Sequence, residues 1–147
     1  MIEEGLAAIN QLLPEEKPFL FKPALRYLAA IYTSKSNFID LYKKLNKFVK
    51  DRDECWRECV RVKRGIGNTE DHGGFYKDQN YLIGAVEVLR NRKNIDFERI
   101  YYGKLSASET KNLSEGVVPP FLEGAEKQKV YGKKLDKIAL CNFIDEC

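Results

Sequence analysis

The sequence has 147 residues, 44% hydrophobic and 32% charged, a composition that suits one globular domain and excludes a disordered chain. Its net charge is +3, well short of the strongly basic balance of a nucleic-acid binder. No apolar run approaches the roughly 20 residues needed to cross a bilayer, the opening Met1-Ile2-Glu3-Glu4 is acidic where a secretory leader is basic, and four cysteines are too few for a disulfide scaffold.

Glu3 to Leu13 reads as a short helix with acids in its first turn, where they complement the positive end of the helix dipole, and Pro14 ends it. Pro23 suits the first position of a second helix, in which Leu25, Leu28, Ala29 and Tyr32 recur with helical spacing. Ser36 is placed to cap a third, whose stripe is Phe38, Leu41, Tyr42, Leu45 and Val49. Asp51 with Glu54 three residues on has capping-box spacing for a fourth. Its apolar face is Cys55, Trp56, Cys59 and Val60, so Tyr42, Phe48 and Trp56 read as core. Gly65, Gly67, Gly73 and Gly74 then break the periodicity and predict a loop.

A helix from about Asp78 to Arg92 follows. It is apolar nearly all round, which predicts the central buried helix. Asp96 is placed to cap a short helix through Tyr101, closed by Gly103. Ser106 with Glu109 opens another that ends near Gly116, and Pro119-Pro120 marks an extended segment. A lysine-rich tail, 123–147, contains an amphipathic helix with Leu135, Ile138, Ala139 and Ile144. No segment alternates with period two, so the predicted fold class is all-α.

Five groups could carry chemistry. Two acids opening a helix, Glu3 and Glu4, are usually dipole partners. The glycine loop lacks the order of a phosphate-binding loop and does not follow a strand. Cys55 and Cys59 share a helix face with Trp56 and Val60, and read as buried small hydrophobes. His72, the single histidine, has no nucleophile at recognisable spacing and excludes a self-contained multi-histidine zinc site. Between Lys43 and Arg64 nine basic residues stand against four acids. This is either a solvated face or a dock for an acidic partner, and its aromatic interleaving is too thin for base stacking. No nucleic-acid or membrane partner is expected, and the cysteine usage points to a reducing, cytoplasmic compartment.

Longer stretches carry a resemblance. Glu3-Glu4-Gly5-Leu6-Ala7 resembles the EEGLA (or QEGLA) signature of the microtubule-associated tyrosine carboxypeptidase family. Phe48-Val49-Lys50-Asp51, Cys59-Val60-Arg61-Val62-Lys63-Arg64-Gly65 and Phe75-Tyr76-Lys77-Asp78-Gln79-Asn80-Tyr81-Leu82-Ile83-Gly84 resemble further family stretches, as do Ile95-Asp96-Phe97, Gly103-Lys104 and Val118-Pro119-Pro120-Phe121-Leu122. The resemblance covers about residues 3 to 122 and leaves the tail uncovered.

What the resemblance implies is a zinc metallopeptidase that removes a C-terminal residue, the tyrosine of α-tubulin in some relatives. Zinc there is held by two histidines of an H-E-x-x-x-H helix and by the EEGLA glutamate, which by position is Glu4. This sequence contains no H-E-x-x-x-H. The expectation is therefore the C-terminal part of a catalytic domain over 1–122, inactive alone. Zinc would serve the complete enzyme but would not be bound by this chain, and no catalytic residue lies within it. The expected partners are an acidic protein C-terminal tail, α-tubulin among them, and a missing N-terminal half. Arg61, Lys63, Arg64 and Lys77 are candidates to pair with the substrate's carboxylates, and Tyr81 to polarise the scissile carbonyl. The alternative is a non-catalytic module that keeps the basic cleft and binds acidic tails. Apolar surface should lie exposed around the N-terminal helix.

Overall fold

In a computed structural model that describes residues 2–97, 99–102 and 122–146, the chain is all helical, and no strand occurs among these residues. Among the described residues six α-helices run as α1 (Ile2–Leu12), α2 (Phe21–Thr33), α3 (Phe38–Leu45), α4 (Arg52–Lys63), α5 (Asn80–Asn91) and α6 (Ala125–Cys141). Among the described residues no helix is long and apolar enough to cross a membrane. The predicted closure at Gly103, the Ser106–Gly116 helix and the Pro119-Pro120 segment lie outside the described residues.

Local chemistry explains most boundaries. Asp51 caps α4 as its spacing predicts, accepting from the Glu54 amide at 2.8 Å. The cap of α3 is Asn37, which accepts from the Asp40 amide at 2.9 Å. Ser36, expected in that role, is buried, and its hydroxyl accepts from Lys44 Nζ at 2.7 Å. Pro23 sits inside the first turn of α2, where a missing N–H breaks no helical bond. A 3-10 turn over Tyr76–Gln79 precedes α5, so that helix starts two residues later than predicted. After Asp96 the described residues make a 3-10 turn, Ile100–Tyr102, and Asp96 Oδ1 accepts from the Arg99 amide at 3.2 Å, in the capping role expected of it.

The chain divides into two compact units, Met1–Leu20 with Ile83–Cys147, and Phe21–Leu82, the boundary falling inside α5. In the second unit α2, α3 and α4 pack together over Leu25, Ala29, Leu41, Leu45, Val49, Cys55, Cys59 and Val62. The buried stripe of α4 is Cys55, Glu58, Cys59 and Val62. Trp56 and Val60 lie off that stripe and are 55% and 49% exposed; Phe48 is exposed as well. This corrects the expectation of core positions. The Trp56 ring rests edge-on against Phe38, with centroids 4.7 Å apart, so it covers the core from outside.

In the first unit Ile2, Leu6 and Ile9 of α1 are buried, as are Ala85, Val88 and Leu89 of α5 and Leu135, Ile138 and Ala139 of α6. The apolar face of α1 itself is therefore covered within this unit, while Phe19, just past the helix, is exposed. The other apolar residues of α5 are half-buried, so that helix is buried along one face only. Gly5 and Gly84 mark the crossing of α1 and α5. A Cβ on Gly5 would overlap the Gly84 carbonyl and the Ala85 nitrogen, so only glycine permits this approach. Asn10 Nδ2 donates to the Tyr101 hydroxyl at 3.0 Å, and the Tyr131 hydroxyl donates to Asn10 Oδ1 at 3.3 Å, tying α1 to α6. Arg92, nearly buried, binds Asp136 at 2.7 Å and Asp145 at 2.6 Å, which clasps the C-terminal helix.

Candidate functional site

Charge on α4 repeats at helical spacing. Glu54, Glu58 and Arg61 are four and three residues apart and so share a face, and Arg64 caps the helix one turn on. Lys22 and Arg26 on α2 are likewise four apart. Lys22 Nζ lies 3.7 Å from Glu54 Oε1, and Arg26 reaches the two Glu58 oxygens at 3.3 and 3.4 Å. The Arg26 guanidinium also lies 6.0 Å from the centre of the Tyr81 ring.

The centre of the cluster is Asp78, in the 3-10 turn before α5. Arg61 Nε donates to its Oδ2 at 2.6 Å and Arg61 Nη2 to Oδ1 at 3.3 Å. Arg64 Nη1 donates to Oδ2 at 3.2 Å and Nη2 to Oδ1 at 3.0 Å. Burial pushes the Asp78 carboxyl up, but hydrogen bonds from Arg64 and Arg61 outweigh it and leave the group below its ordinary value. The same hydrogen bond raises Arg61 above its ordinary value against its own desolvation. Arg64 stacks on Phe75, its guanidinium carbon 3.6 Å from the ring centre.

The glycine loop holds this arrangement against α2 and α4. Gly73 has φ +98°, and its amide donates to the Thr33 carbonyl at 2.7 Å while Thr33 Oγ1 donates to the Gly73 carbonyl at 2.8 Å. A Cβ on Gly74 would overlap the Val62 carbonyl, and the Phe75 amide donates to that carbonyl at 2.7 Å. Phe75 and Asp78 are thereby delivered to the end of α4.

The structure thus brings Arg61 and Arg64 together. Lys77 is exposed beside Asp78 in the chain, and Tyr81 is half-buried in the first turn of α5. Lys63, expected with the substrate-binding set, is taken up by the fold instead. Only 6% exposed, its Nζ donates to the Ser36 carbonyl at 2.6 Å and the Asp71 carbonyl at 2.7 Å. Burial lowers its pKa below the ordinary lysine value. Arg26, Glu58, Phe75 and Asp78 were not among the expected substrate-binding residues, though Phe75 and Asp78 lie in the loop singled out in the sequence. The helical spacing of Glu58 and Arg61, and an acid inside the most basic part of the chain, were the available signals.

Glu4 belongs to the other unit, half-buried in the first turn of α1 beside the Gly5 crossing. Among the described residues no group of three or more His, Cys, Asp or Glu side chains converges as a metal site. They do not by themselves fit the zinc that the resemblance implies. Cys55 and Cys59 are buried, burial pushing the Cys59 thiol up to about 12, which keeps it neutral. His72 is exposed in the glycine loop. A cavity of about 530 Å³ beside the end of α1, lined by Leu13, Val130, Tyr131 and Lys134 among others, contains no member of the basic cluster.

Comparison with known proteins bears on these residues. Residues 24–137 match the model of a family described as microtubule-associated tyrosine carboxypeptidase. The chain is 43% identical to the putative tyrosine carboxypeptidase MATCAP2 of Mus musculus, over 98% of its own length and 28% of the relative's. It is 37% identical to the microtubule-associated tyrosine carboxypeptidase 1 of Homo sapiens, over 98% of this chain and 31% of that one. The chain thus spans somewhat under a third of these relatives, and the similarity runs on past residue 122 into the lysine-rich segment.

Proposed function

Since the chain belongs to the microtubule-associated tyrosine carboxypeptidase family, we propose that it is the part of a carboxypeptidase that receives an acidic C-terminal tail. The observation that carries this reading is the Arg61–Asp78–Arg64 cluster at the end of α4. Two guanidiniums gathered on one carboxylate leave a net positive centre with hydrogen-bonding capacity to spare. Lys77 lies next to it and suits the acidic residues of a tail. Tyr81 is the group we assign to the scissile carbonyl. The tail is of the α-tubulin kind, glutamate-rich and ending in tyrosine, and the setting is cytoplasmic.

The described residues do not make a zinc site, so no hydrolytic step is assigned to them. Glu4 is the one ligand this chain offers to a zinc centre whose other ligands lie outside this sequence. On this reading the chain alone binds tails and does not cut them. A binding module with no catalytic role is the second reading, favoured by the same absence of a converging ligand set among the described residues.

Calorimetric titration with a glutamate-rich peptide ending in tyrosine, together with mass spectrometry of the peptide afterwards, tests the proposal. Binding that weakens with salt and leaves the peptide intact is the expected result. Tyrosine release by the chain alone overturns its inactivity, and failure to bind overturns the tail-binding reading. Fusion to the H-E-x-x-x-H-bearing region of a relative separates the two readings. Release by the fusion supports the enzyme part, and its absence the binding module.

A further inference from the structure

The two arginines on Asp78 do not use the same edge of their guanidiniums, and the difference singles out one of them. Arg61 turns its Nε and Nη2 edge to Asp78, at 2.6 and 3.3 Å. That edge, two parallel N–H bonds, is the fork that fits a carboxylate bidentately, and in Arg61 it is occupied. Arg64 approaches Asp78 with its Nη1 and Nη2 end, at 3.2 and 3.0 Å, and Nη1 also donates to the Arg61 carbonyl at 2.7 Å. Its Nε–H and second Nη2–H carry no hydrogen bond to the described residues. The Arg64 fork is therefore open.

The open fork is also held ready. One face of the guanidinium lies on the Phe75 ring, 3.6 Å from its centre, and the far end is anchored to a carboxylate that is only 4% exposed. The side chain is 39% exposed, so the free edge is reachable. Gly65, next in the chain, has φ +85° and nothing within 4 Å of where its Cβ would stand. Two guanidiniums and one carboxylate leave one positive charge, which a second carboxylate neutralises.

We propose that Arg64 is the receptor for a peptide's terminal α-carboxylate, and that Asp78 and Phe75 are positioning residues that hold its fork outward. The proposal rests on the tail-binding reading above and names the residue and the ligand group within it. A glutamate side chain offers the same carboxylate chemistry, so the test must separate the two sources.

The full chain is titrated with four peptides. These are a glutamate-rich peptide ending in tyrosine as the free acid, the same peptide with a C-terminal amide, and a glutamine-substituted version as the free acid with its own amide. The intact chain should prefer free acid to amide by about tenfold in both series, the scale of one charge-assisted bidentate contact. Arg64→Lys keeps the charge and loses the fork, and should remove that preference, with a thermal midpoint lowered by the lost Asp78 contacts but a cooperative transition retained. Asp78→Asn should shrink the preference and Asp78→Glu recover part of it, compared at conditions where the denaturant midpoint of each variant shows it folded. Equal binding of acid and amide by the intact chain, or an unchanged preference in Arg64→Lys, overturns the proposal and leaves tail binding standing. A preference confined to the glutamate series assigns the fork to side-chain carboxylates and overturns it too. If none of the peptides binds, tail binding falls and this proposal with it.

Discussion

A carboxylate buried between two arginines has a definite pH signature. Asp78 lies below its ordinary value of 3.8 because hydrogen bonds from Arg64 and Arg61 overcome its desolvation. A depressed acid stabilises the folded state fully above its unfolded value, and that stability disappears as pH falls through the lowered one. The chain should therefore hold its denaturant midpoint from pH 7 to about pH 4 on this account and lose stability below. Asp78→Asn should flatten that acid limb at a cost of about 1–3 kcal/mol at pH 7, the figure for a broken buried pair reduced because both arginines are more than a third exposed to solvent. An acid limb unchanged in Asp78→Asn would assign the pH dependence to other carboxylates. Lys63 is the opposite case. Its ammonium is desolvated and bound to two carbonyls, so it closes the glycine loop and presents nothing outward.

The helices meet through residues chosen for what they lack. At the α1–α5 crossing a methyl group on Gly5 has nowhere to go, because backbone atoms of Gly84 and Ala85 occupy the place of its Cβ. Gly5→Ala should cost about 1–3 kcal/mol by overpacking, read as a lowered denaturant midpoint. Gly132 in α6 supplies the contrast. It has open space around it, and Gly132→Ala should stabilise by about 0.5–1 kcal/mol through helix propensity alone. Equal effects at the two positions would mean that the crossing is looser than described. The glycine of the EEGLA stretch thus has a packing reason of its own, and it sets the first turn of α1, where Glu4 stands.

At the scale of the whole molecule, two compact units hold different parts of the candidate chemistry. The basic cluster lies in Phe21–Leu82 and Glu4 in the other unit. The chain is somewhat under a third of the length of its relatives, and its described residues gather no metal site. Elemental analysis after dialysis should find less than about 0.1 zinc per chain, since one carboxylate holds zinc poorly against water. Stoichiometric zinc would mean a site built otherwise than from Glu4 and outside ligands. The basic excess is also smaller than its residue count. Arg61 and Arg64 share Asp78, Lys63 is buried, Lys44 reaches Ser36, and Lys43 lies 3.9 Å from Asp40.

The all-α class, the Asp51 cap, the glycine loop and the family were legible in the sequence. Each depends on residues close together in the chain: helical period, cap spacing, glycine content and ordered motifs. Tertiary structure alone decided which face of α4 is buried, because Trp56 and Val60 suit a core as well as Cys55 and Cys59 do until a neighbour covers one stripe. It alone separated three basic residues that the sequence treats alike. Lys63 turned inward to carbonyls, Arg61 closed its fork on Asp78, and Arg64 kept its fork open. Their types and spacing are nearly equivalent, and the difference comes from partners 8 to 27 residues away that only folding brings within hydrogen-bond reach.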